Sequence, residues 1–237
     1  MIDAGLPVRA FFTTRDGGHS QEPYASLNLA THVGDDPTAV VANRRVVSEA
    51  AGAPVTFLNA AHGVRVAWVT EVGAEPPPAD VLISTTPGVA LGAIAADCVP
   101  VLIHDAASGA VAAIHAGRPG VYAGAIDAAM AALIDVRGRA AASDTLSASI
   151  GPAICGRCYE VPHDLREQVS ARHRAAFSTT SWGTPALDLP RAVETRLGEL
   201  GVTAIVRVPL CTREDESLFS HRRDGVTGRH AGVIVHP

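Results

Sequence analysis

The run VALGAIAADCVPVLIHDAASGAVAAIHAG, residues 89–117, decides the fold of this chain. It contains three apolar segments of strand length, at 89–95, 99–104 and 110–115, and short polar or small-residue breaks separate them. Apolar runs of four to eight residues bounded by such breaks are typical of buried strands. The run therefore predicts three strands, and it places Cys98 and His115 at strand ends.

Helices and strands alternate irregularly on both sides of this run. A helix capped by Asp36 is expected from Pro37 to about Ala51, because aspartate and proline are favoured at helix starts. Further helices are predicted at 124–134, 163–176 and 188–200, and further strands at 8–14, 55–59, 64–70, 146–151, 203–208 and 231–235, with a proline-rich loop at 75–78. This order predicts a mixed α/β (α+β type) sandwich in a single domain, residues 1–237.

Composition excludes several classes of protein. Of 237 residues, 47% are hydrophobic and 18% are charged, which is the composition of a globular chain with a substantial core. All 19 basic residues are Arg, so mechanisms that need a lysine amine are excluded. The net charge of −5 argues against a nucleic-acid partner. The sequence predicts neither a signal peptide nor a membrane segment, and four cysteines suit a reducing compartment, so we expect a cytoplasmic protein with no membrane partner.

Three side chains at predicted strand ends are candidate metal ligands, namely His62, Cys98 and His115. Two imidazoles and a thiolate form a ligand set of catalytic zinc, with the fourth position left for water or substrate. Their spacing is long and irregular, so the residues alone leave open a second interpretation, in which the histidines are hydrogen-bonded core or loop residues and Cys98 is an inert buried thiol.

Motifs spread over nearly the whole chain carry a family resemblance. They are the segment 13–45 that begins TTRDGGHS, AHG at 61–63, the segment 79–105 that contains ADC, HAG at 115–117, IGPAICGRCYEV at 150–161 and the segment 211–235 that contains FSHRRDG. In these motifs and their order the chain resembles the YfiH-like laccase-domain family, whose members act as purine nucleoside phosphorylases. The resemblance implies a layered sandwich of mixed β-sheets flanked by helices, and Zn²⁺ held by His62, Cys98 and His115.

The resemblance also implies an activity and its partners. Adenosine, inosine or methylthioadenosine would react with phosphate to give the free base and ribose-1-phosphate, and adenosine would also be deaminated. The partners would be purine nucleosides and phosphate, and the chain would be a monomer or a homodimer. Two departures from the family pattern affect the substrate pocket: the chain has HAGRPG where the family usually has HAGWRG, and Ala60 where the family tends to have Gln.

Further polar residues are candidates for substrate or proton-transfer roles. Asp97 precedes the predicted thiolate ligand, and we consider it both as a catalytic acid or base and as a structural residue. Phosphate needs cationic donors, for which the candidates are Arg15, Arg222 and Arg223, and we expect Arg15 and Arg222 to lie near the zinc. Possible partners of ribose or phosphate in the polar segment after the first turn are Ser26 and Asn28.

The three cysteines other than Cys98 have no predicted role in catalysis. Cys155 and Cys158 form a lone C-x-x-C, which we interpret as a pair of structural thiols that turnover does not need. We interpret Cys211 as a buried thiol.

One rival function is a copper-dependent polyphenol oxidase, although a blue-copper site usually has an axial Met and no His-x-His pair occurs in the sequence. Others are a cysteine hydrolase that uses Cys98 with His115, and a metal-binding protein without enzymatic activity.

Overall fold

The computed structural model describes residues 1–75, 78–137 and 145–237. Within these ranges the chain forms thirteen strands and six helices. The strands are β1 (Ile2–Asp3), β2 (Ala10–Phe12), β3 (Val55–Phe57), β4 (Val66–Trp68), β5 (Val81–Ser84), β6 (Ala90–Ala95), β7 (Val99–Asp105), β8 (Val111–Ala116), β9 (Leu146–Ile150), β10 (Phe177–Thr179), β11 (Pro185–Leu187), β12 (Ala204–Arg207) and β13 (His230–Val235). The helices are α1 (Pro37–Ala51), α2 (Arg118–Ala123), α3 (Ala125–Arg137), α4 (His163–Arg172), α5 (Leu189–Glu199) and α6 (His221–Asp224).

Two mixed sheets form the centre of the fold. The first has five strands in the order β1-β2-β13-β6-β3, and the second has six in the order β12-β9-β7-β8-β5-β4. Most neighbours are antiparallel, while β3 with β6, β4 with β5 and β12 with β9 are parallel. A separate two-stranded ribbon is formed by β10 and β11. The predicted sandwich of mixed sheets is confirmed.

Side-chain packing shows the layers. One apolar cluster joins the facing sides of the two sheets, with Leu91 of the five-stranded sheet and Leu102 of the six-stranded sheet among its members. A second cluster packs the outer face of the six-stranded sheet against α3 and α5, and a third packs α1 against the outer face of the five-stranded sheet. The order of layers is therefore helix, sheet, sheet, helices, as expected for sheets that are apolar on both faces.

The alternation of side chains along the central strands decides where the polar residues point. In β8, Ala112 and Ile114 belong to the outer cluster, whereas Val111 and Ala113 belong to the cluster between the sheets. Because successive side chains of a strand point to opposite faces, His115 shares the inner face with Val111 and Ala113. The imidazole at the end of β8 is thus directed into the space between the two sheets.

Several elements differ from those predicted. Helix α2 was not predicted; it starts after Gly117, and Pro119 occupies its first turn, where no amide donor is needed. The fully buried strand β5 is four residues long and was missed. The predicted helix 163–176 ends at Arg172, and a 3₁₀ turn follows. The predicted loop at 75–78 includes residues 76 and 77, which lie outside the described residues. In the described part of the chain, none of the helices is long and apolar enough to cross a bilayer.

Candidate active site

The three candidate ligands lie together at the edge of the sandwich. His115 is near the end of β8, Cys98 directly precedes β7, and His62 lies in the loop between β3 and β4. One nitrogen of each imidazole and the Cys98 sulfur all lie within 4.8 Å of one another. The two rings meet edge to face, with centroids 4.6 Å apart. The structure thus brings together residues that are far apart in the sequence.

Two residues of the site have an unusual backbone. His62 has φ of 60° and Asp97 has φ of 87°, and they are the two non-glycine residues with positive φ in the described chain. This region is unfavourable for side chains with a Cβ and persists where the surrounding contacts impose it, most often at functional sites. The site is therefore held in a conformation that local sequence preference does not favour.

Gly117 provides the room in which the three candidate ligands approach each other. A Cβ at this position would lie 2.9 Å from Cδ2 of His62, 3.1 Å from Sγ of Cys98 and 3.1 Å from Cε1 of His115. These distances are shorter than ordinary van der Waals contacts, so any larger residue would displace a candidate ligand. The glycine of the HAG motif is required here by space rather than by its dihedral angles.

A buried carboxylate lies behind His115. Oδ1 of Asp80 is 3.8 Å from Nδ1 of His115, and both side chains are almost completely buried. Neither oxygen of Asp80 has a partner at hydrogen-bond distance among the described residues. Because Nδ1 faces Asp80, Nε2 is the nitrogen directed to Cys98 and His62, the arrangement that usually orients a metal-ligating histidine. Asp80 was not identified from the sequence, although it lies in the family-like segment 79–105.

The electrostatics of the site favour a thiolate. Burial opposes ionisation of the Cys98 thiol, but the imidazoles of His115 and His62 outweigh it and lower the pKa of Cys98 to about 6. Burial also disfavours an imidazolium at His115, yet Asp80 and Cys98 together raise the pKa of His115 to about 9. A thiolate beside two ring nitrogens is a donor set that a soft or borderline divalent metal prefers.

A cavity of about 310 Å³ opens onto the three candidate ligands. Besides them it is lined by His32, Ala60, Ile94, Ala95, Ala96, His221 and Arg229. This size falls at the lower end of the range for small-molecule sites. Ala60, the residue that replaces the family's Gln, is part of the wall and leaves room there. His32, His221 and Arg229 were not singled out from the sequence, although His221 lies in the FSHRRDG motif.

A second, smaller cavity of about 150 Å³ meets the first at Cys98. Both are lined by Ala96, Cys98 and His221, and the smaller one adds Arg118 and Arg222. The remaining lining residues are Asp97, Ile154, Tyr159 and Leu189. Two guanidinium groups therefore lie in the wall of a cavity that contains the candidate thiolate. Arg222 is where we expected it, close to the candidate metal site, and Arg118 is the residue that replaces the family's Trp.

Asp97 connects the candidate thiolate to the C-terminal segment. Its carboxylate accepts hydrogen bonds from the Thr212 hydroxyl at 2.6 Å, the Ser220 hydroxyl at 2.7 Å and the Arg222 backbone N–H at 2.6 Å. Its backbone oxygen accepts a fourth from the Ile154 N–H at 3.0 Å. With this many donors on the carboxylate, the geometry favours the positioning role over proton transfer.

Arg15, Arg223 and Ser26 lie in a different place from the one we expected. They line another cavity, together with the carboxylates of Asp16, Glu22, Glu216 and Asp224. The Arg223 guanidinium donates to three backbone oxygens and to Asp224. The Nε of Arg15 donates to the Ala25 oxygen, and Ser26 is engaged with the backbone of the same turn. Arg15 therefore does not line the cavities at Cys98, which corrects the expectation that it lies near the candidate metal site. The four acidic side chains around it would also repel phosphate.

Asn28 is completely buried and cannot touch a substrate in this structure. Its side-chain nitrogen donates to the Ala30 oxygen and to Asp35, and its side-chain oxygen accepts from the Ala30 and Arg229 backbone N–H groups. Both polar atoms are thus satisfied within the protein. Asn28 instead fixes the backbone of Arg229, whose side chain lines the larger cavity.

Comparison with known proteins identifies the class. The chain belongs to the family described as multi-copper polyphenol oxidoreductase laccase, whose family model matches residues 9–237. Among curated proteins it is similar to a purine nucleoside phosphorylase of Streptomyces coelicolor, with 46% identity over 94% of this chain and 93% of that protein. It is also 42% identical to a purine nucleoside phosphorylase of Mycobacterium bovis, over 98% of this chain and 93% of the relative. The resemblance found in the sequence is confirmed.

Solved structures give the same result for the fold. The protein YlmD of Geobacillus stearothermophilus superposes with a TM-score of 0.89 at 33% identity, covering 99% of this chain and 95% of that one. The Neisseria meningitidis protein NMB0706 superposes with a TM-score of 0.85 at 36% identity, covering 97% and 95% of the two chains. The layered sandwich is therefore the fold of this family.

Proposed function

We propose that this protein is a zinc-dependent purine nucleoside phosphorylase that also deaminates adenosine, and that it works in one domain over residues 1–237. The observation that carries the proposal is the junction at Cys98, where the His/Cys site, a cavity of nucleoside size and a cavity with two guanidinium groups meet. The printed names of the relatives, which share 37–46% identity with the chain, support the same activity. The free cysteines suit our expectation of a cytoplasmic location.

The residues fit the proposed zinc. Two imidazoles and a thiolate are a ligand set that zinc accepts. Because Gly117 has no Cβ, the three side chains can approach one another closely. The ligands would be His62, Cys98 and His115, with Asp80 orienting His115 from behind. When bound, zinc would supply a Lewis acid that polarises an oxygen at the junction of the two cavities.

The two cavities suggest how the substrates are divided. The smaller one contains Arg118 and Arg222, and a guanidinium fork matches the oxygens of a phosphate dianion. The larger one, with Ala60 and Ile94 in its wall, suits a nucleoside. In phosphorolysis a phosphate oxygen forms a bond to C1′ while the bond from C1′ to the base nitrogen breaks, and the base leaves with that electron pair. In deamination a water attacks C6 of adenosine and ammonia leaves.

The roles of the protein side chains follow from these positions. The cations Arg118 and Arg222 hold phosphate against the ribose and neutralise its charge. Asp97 fixes the backbone of Arg222 and the turn that contains Cys98, so it acts as a positioning residue. Of the arginines proposed from the sequence, Arg222 remains a candidate for phosphate binding. Arg118 replaces Arg15 and Arg223 in this role.

Substitution of the two arginines tests the division of substrates. A charged hydrogen bond to phosphate contributes roughly 1.5–3 kcal/mol, so Arg222→Ala and Arg118→Ala should each weaken phosphate use about 10- to 150-fold. Deamination consumes water instead of phosphate, so adenosine deamination should fall less. The exposed Arg45 lies on helix α1, and Arg45→Ala is the matched control. Products of adenosine, inosine and methylthioadenosine, with and without phosphate, are separated by chromatography. Unchanged phosphate dependence in both variants contradicts the assignment.

The rival functions give different results in the same assays. Turnover that survives removal of zinc and stops on alkylation of Cys98 would indicate the cysteine hydrolase. Oxidation of a phenol that depends on copper would indicate the polyphenol oxidase. Against that rival, Met130 is buried against the outer face of the six-stranded sheet, in a different cluster from the one between the sheets, so it offers no axial ligand. Absence of any nucleoside turnover by zinc-loaded protein would leave a metal-binding protein without enzymatic activity.

A further inference from the structure

A second group of metal-binding side chains lies outside the candidate active site. Cys155, Cys158, Cys211 and Glu214 each offer one ligand atom, and these four atoms lie within 4.8 Å of one another. The lone C-x-x-C of the sequence is thus completed by a C-x-x-E from a distant segment. Cys211 is 56 positions after Cys155, and Glu214 is 56 positions after Cys158.

The two segments are built alike. In the first, the Cys155 oxygen accepts from the backbone N–H of Cys158 and that of Tyr159. In the second, the Cys211 oxygen accepts from the N–H of Glu214 and that of Asp215. Each segment is therefore a tight turn with its two ligands at the ends of an x-x spacing, which is the arrangement found in structural zinc sites.

The distances suit one tetrahedral ion. Zinc–sulfur bonds of about 2.3 Å place neighbouring ligand atoms of a tetrahedral site about 3.8 Å apart. The four ligand atoms already lie within 4.8 Å, so small movements of the side chains close the site. Cys158 and Cys211 are buried, whereas about half of the Glu214 side chain is exposed, so an ion has a route in.

Surrounding groups stabilise a set of thiolates. The backbone N–H of Cys155 points at Sγ of Cys211 at 3.3 Å, as donors do around thiolate ligands. The Arg157 guanidinium lies 3.4 Å from Glu214. This cation therefore offsets part of the negative charge that three thiolates and a carboxylate leave around a divalent ion. The thiol of Cys158 donates to Glu214 at 3.3 Å, and that proton is released when a metal binds.

We propose that Cys155, Cys158, Cys211 and Glu214 form a structural Zn²⁺ site. It is separate from the His62/Cys98/His115 site and does not depend on the proposed function. The ion would clamp the turn that starts at Cys155 to the turn that starts at Cys211. These turns are already joined by the hydrogen bond from the Thr212 N–H to the Ala153 oxygen at 3.2 Å.

Zinc content of cysteine variants tests the proposal. Protein from zinc-replete culture is purified under reducing conditions and analysed by mass spectrometry for zinc per chain. We expect two ions in the unsubstituted protein, one in Cys98→Ala, one in Cys158→Ser and none in the double variant. If the proposed catalytic zinc alone is absent, the unsubstituted protein and Cys98→Ala will each hold one ion and Cys158→Ser none. Zinc-free Cys98→Ala protein, or unchanged zinc content in Cys158→Ser, overturns the proposal.

A second measurement keeps the proposal falsifiable if Cys158→Ser does not fold. The three cysteines that remain in Cys98→Ala all belong to the new site. Cobalt added to that variant should therefore give an intense thiolate-to-cobalt absorption band. Glu214→Gln should keep the band but weaken cobalt binding, while Glu216→Gln, on the same segment but lining a different cavity, should leave both unchanged. No band, or a disulfide among these cysteines in place of three reactive thiols, overturns the proposal.

Discussion

The carboxylate of Asp97 accepts a 2.6 Å hydrogen bond from the backbone N–H of Arg222, a residue 125 positions away. This contact joins the turn that contains Cys98 to the segment that supplies Arg222. It also explains how Asp97 can retain a positive φ, because its side chain is held by donors of the C-terminal segment.

Asp97→Asn should reduce stability as well as turnover. An asparagine can place its oxygen toward some of the donors, but its NH₂ group would face another donor and leave it unsatisfied. An unmade buried hydrogen bond costs about 1–3 kcal/mol, which corresponds to about 2–4 °C in Tm for each kcal/mol in a chain of this size. Calorimetry and steady-state kinetics measure the two effects. The exposed Asp16→Asn is the control. A variant with native Tm, no turnover and an altered pH profile would show instead that Asp97 transfers a proton.

Gly117→Ala should separate the candidate ligands. The added Cβ would lie 2.9 Å from His62 and 3.1 Å from Cys98, so at least one of these side chains must move. We expect a loss of zinc affinity of at least about 10-fold, comparable to the loss of an orienting group. The matched control is Gly198→Ala in helix α5, where a Cβ meets nothing within 4 Å. Equal zinc affinity in both variants would be incompatible with a metal held between these residues.

Asp80→Asn should weaken zinc binding without unfolding the protein. The carboxylate lies 3.8 Å from Nδ1 of His115, and orienting carboxylates of this kind contribute about 10- to 100-fold to metal affinity. Competition with a chromogenic chelator measures the change. Asp127→Asn, at a carboxylate paired with Arg196 on the outer helices, serves as the control. Unchanged affinity in Asp80→Asn would mean that His115 is oriented by its packing alone.

His230 should make the protein less stable in mild acid. Complete burial at the start of β13 lowers the pKa of His230 from 6.5 to about 4. Below pH 6.5 the unfolded chain binds a proton that the folded chain does not, so stability falls as the pH drops and levels off below about pH 4. The difference amounts to about 3 kcal/mol over this window.

Denaturant unfolding between pH 7 and pH 4 checks the His230 prediction. The variant His230→Gln should be less dependent on pH over this window than the unsubstituted protein. The exposed His163→Gln is the control and should keep the full dependence. If His230→Gln has the same pH dependence as the unsubstituted protein, the histidine does not remain neutral in the fold.

The sequence alone was sufficient for the features that depend on local pattern. Apolar runs without helical periodicity predicted β6, β7 and β8, because a strand buried on both faces needs no polar alternation. The start of helix α1 followed from Asp36 and Pro37, since a cap acts within one turn. The trio His62, Cys98 and His115 was found through the short motifs AHG, ADC and HAG.

Other features were decided by tertiary structure, because they depend on contacts between distant segments. Asp80 faces His115 only because β5 pairs with β8 in a particular register. The guanidinium groups of Arg15 and Arg222 are equally able to bind phosphate. Only the folded chain places Arg222 beside Cys98 and Arg15 among carboxylates. Folding also brings Cys211 and Glu214 next to the C-x-x-C pair, although each lies 56 positions after its partner in the sequence. Strand register and side-chain burial are properties of the whole core, so no local window of the sequence contains them.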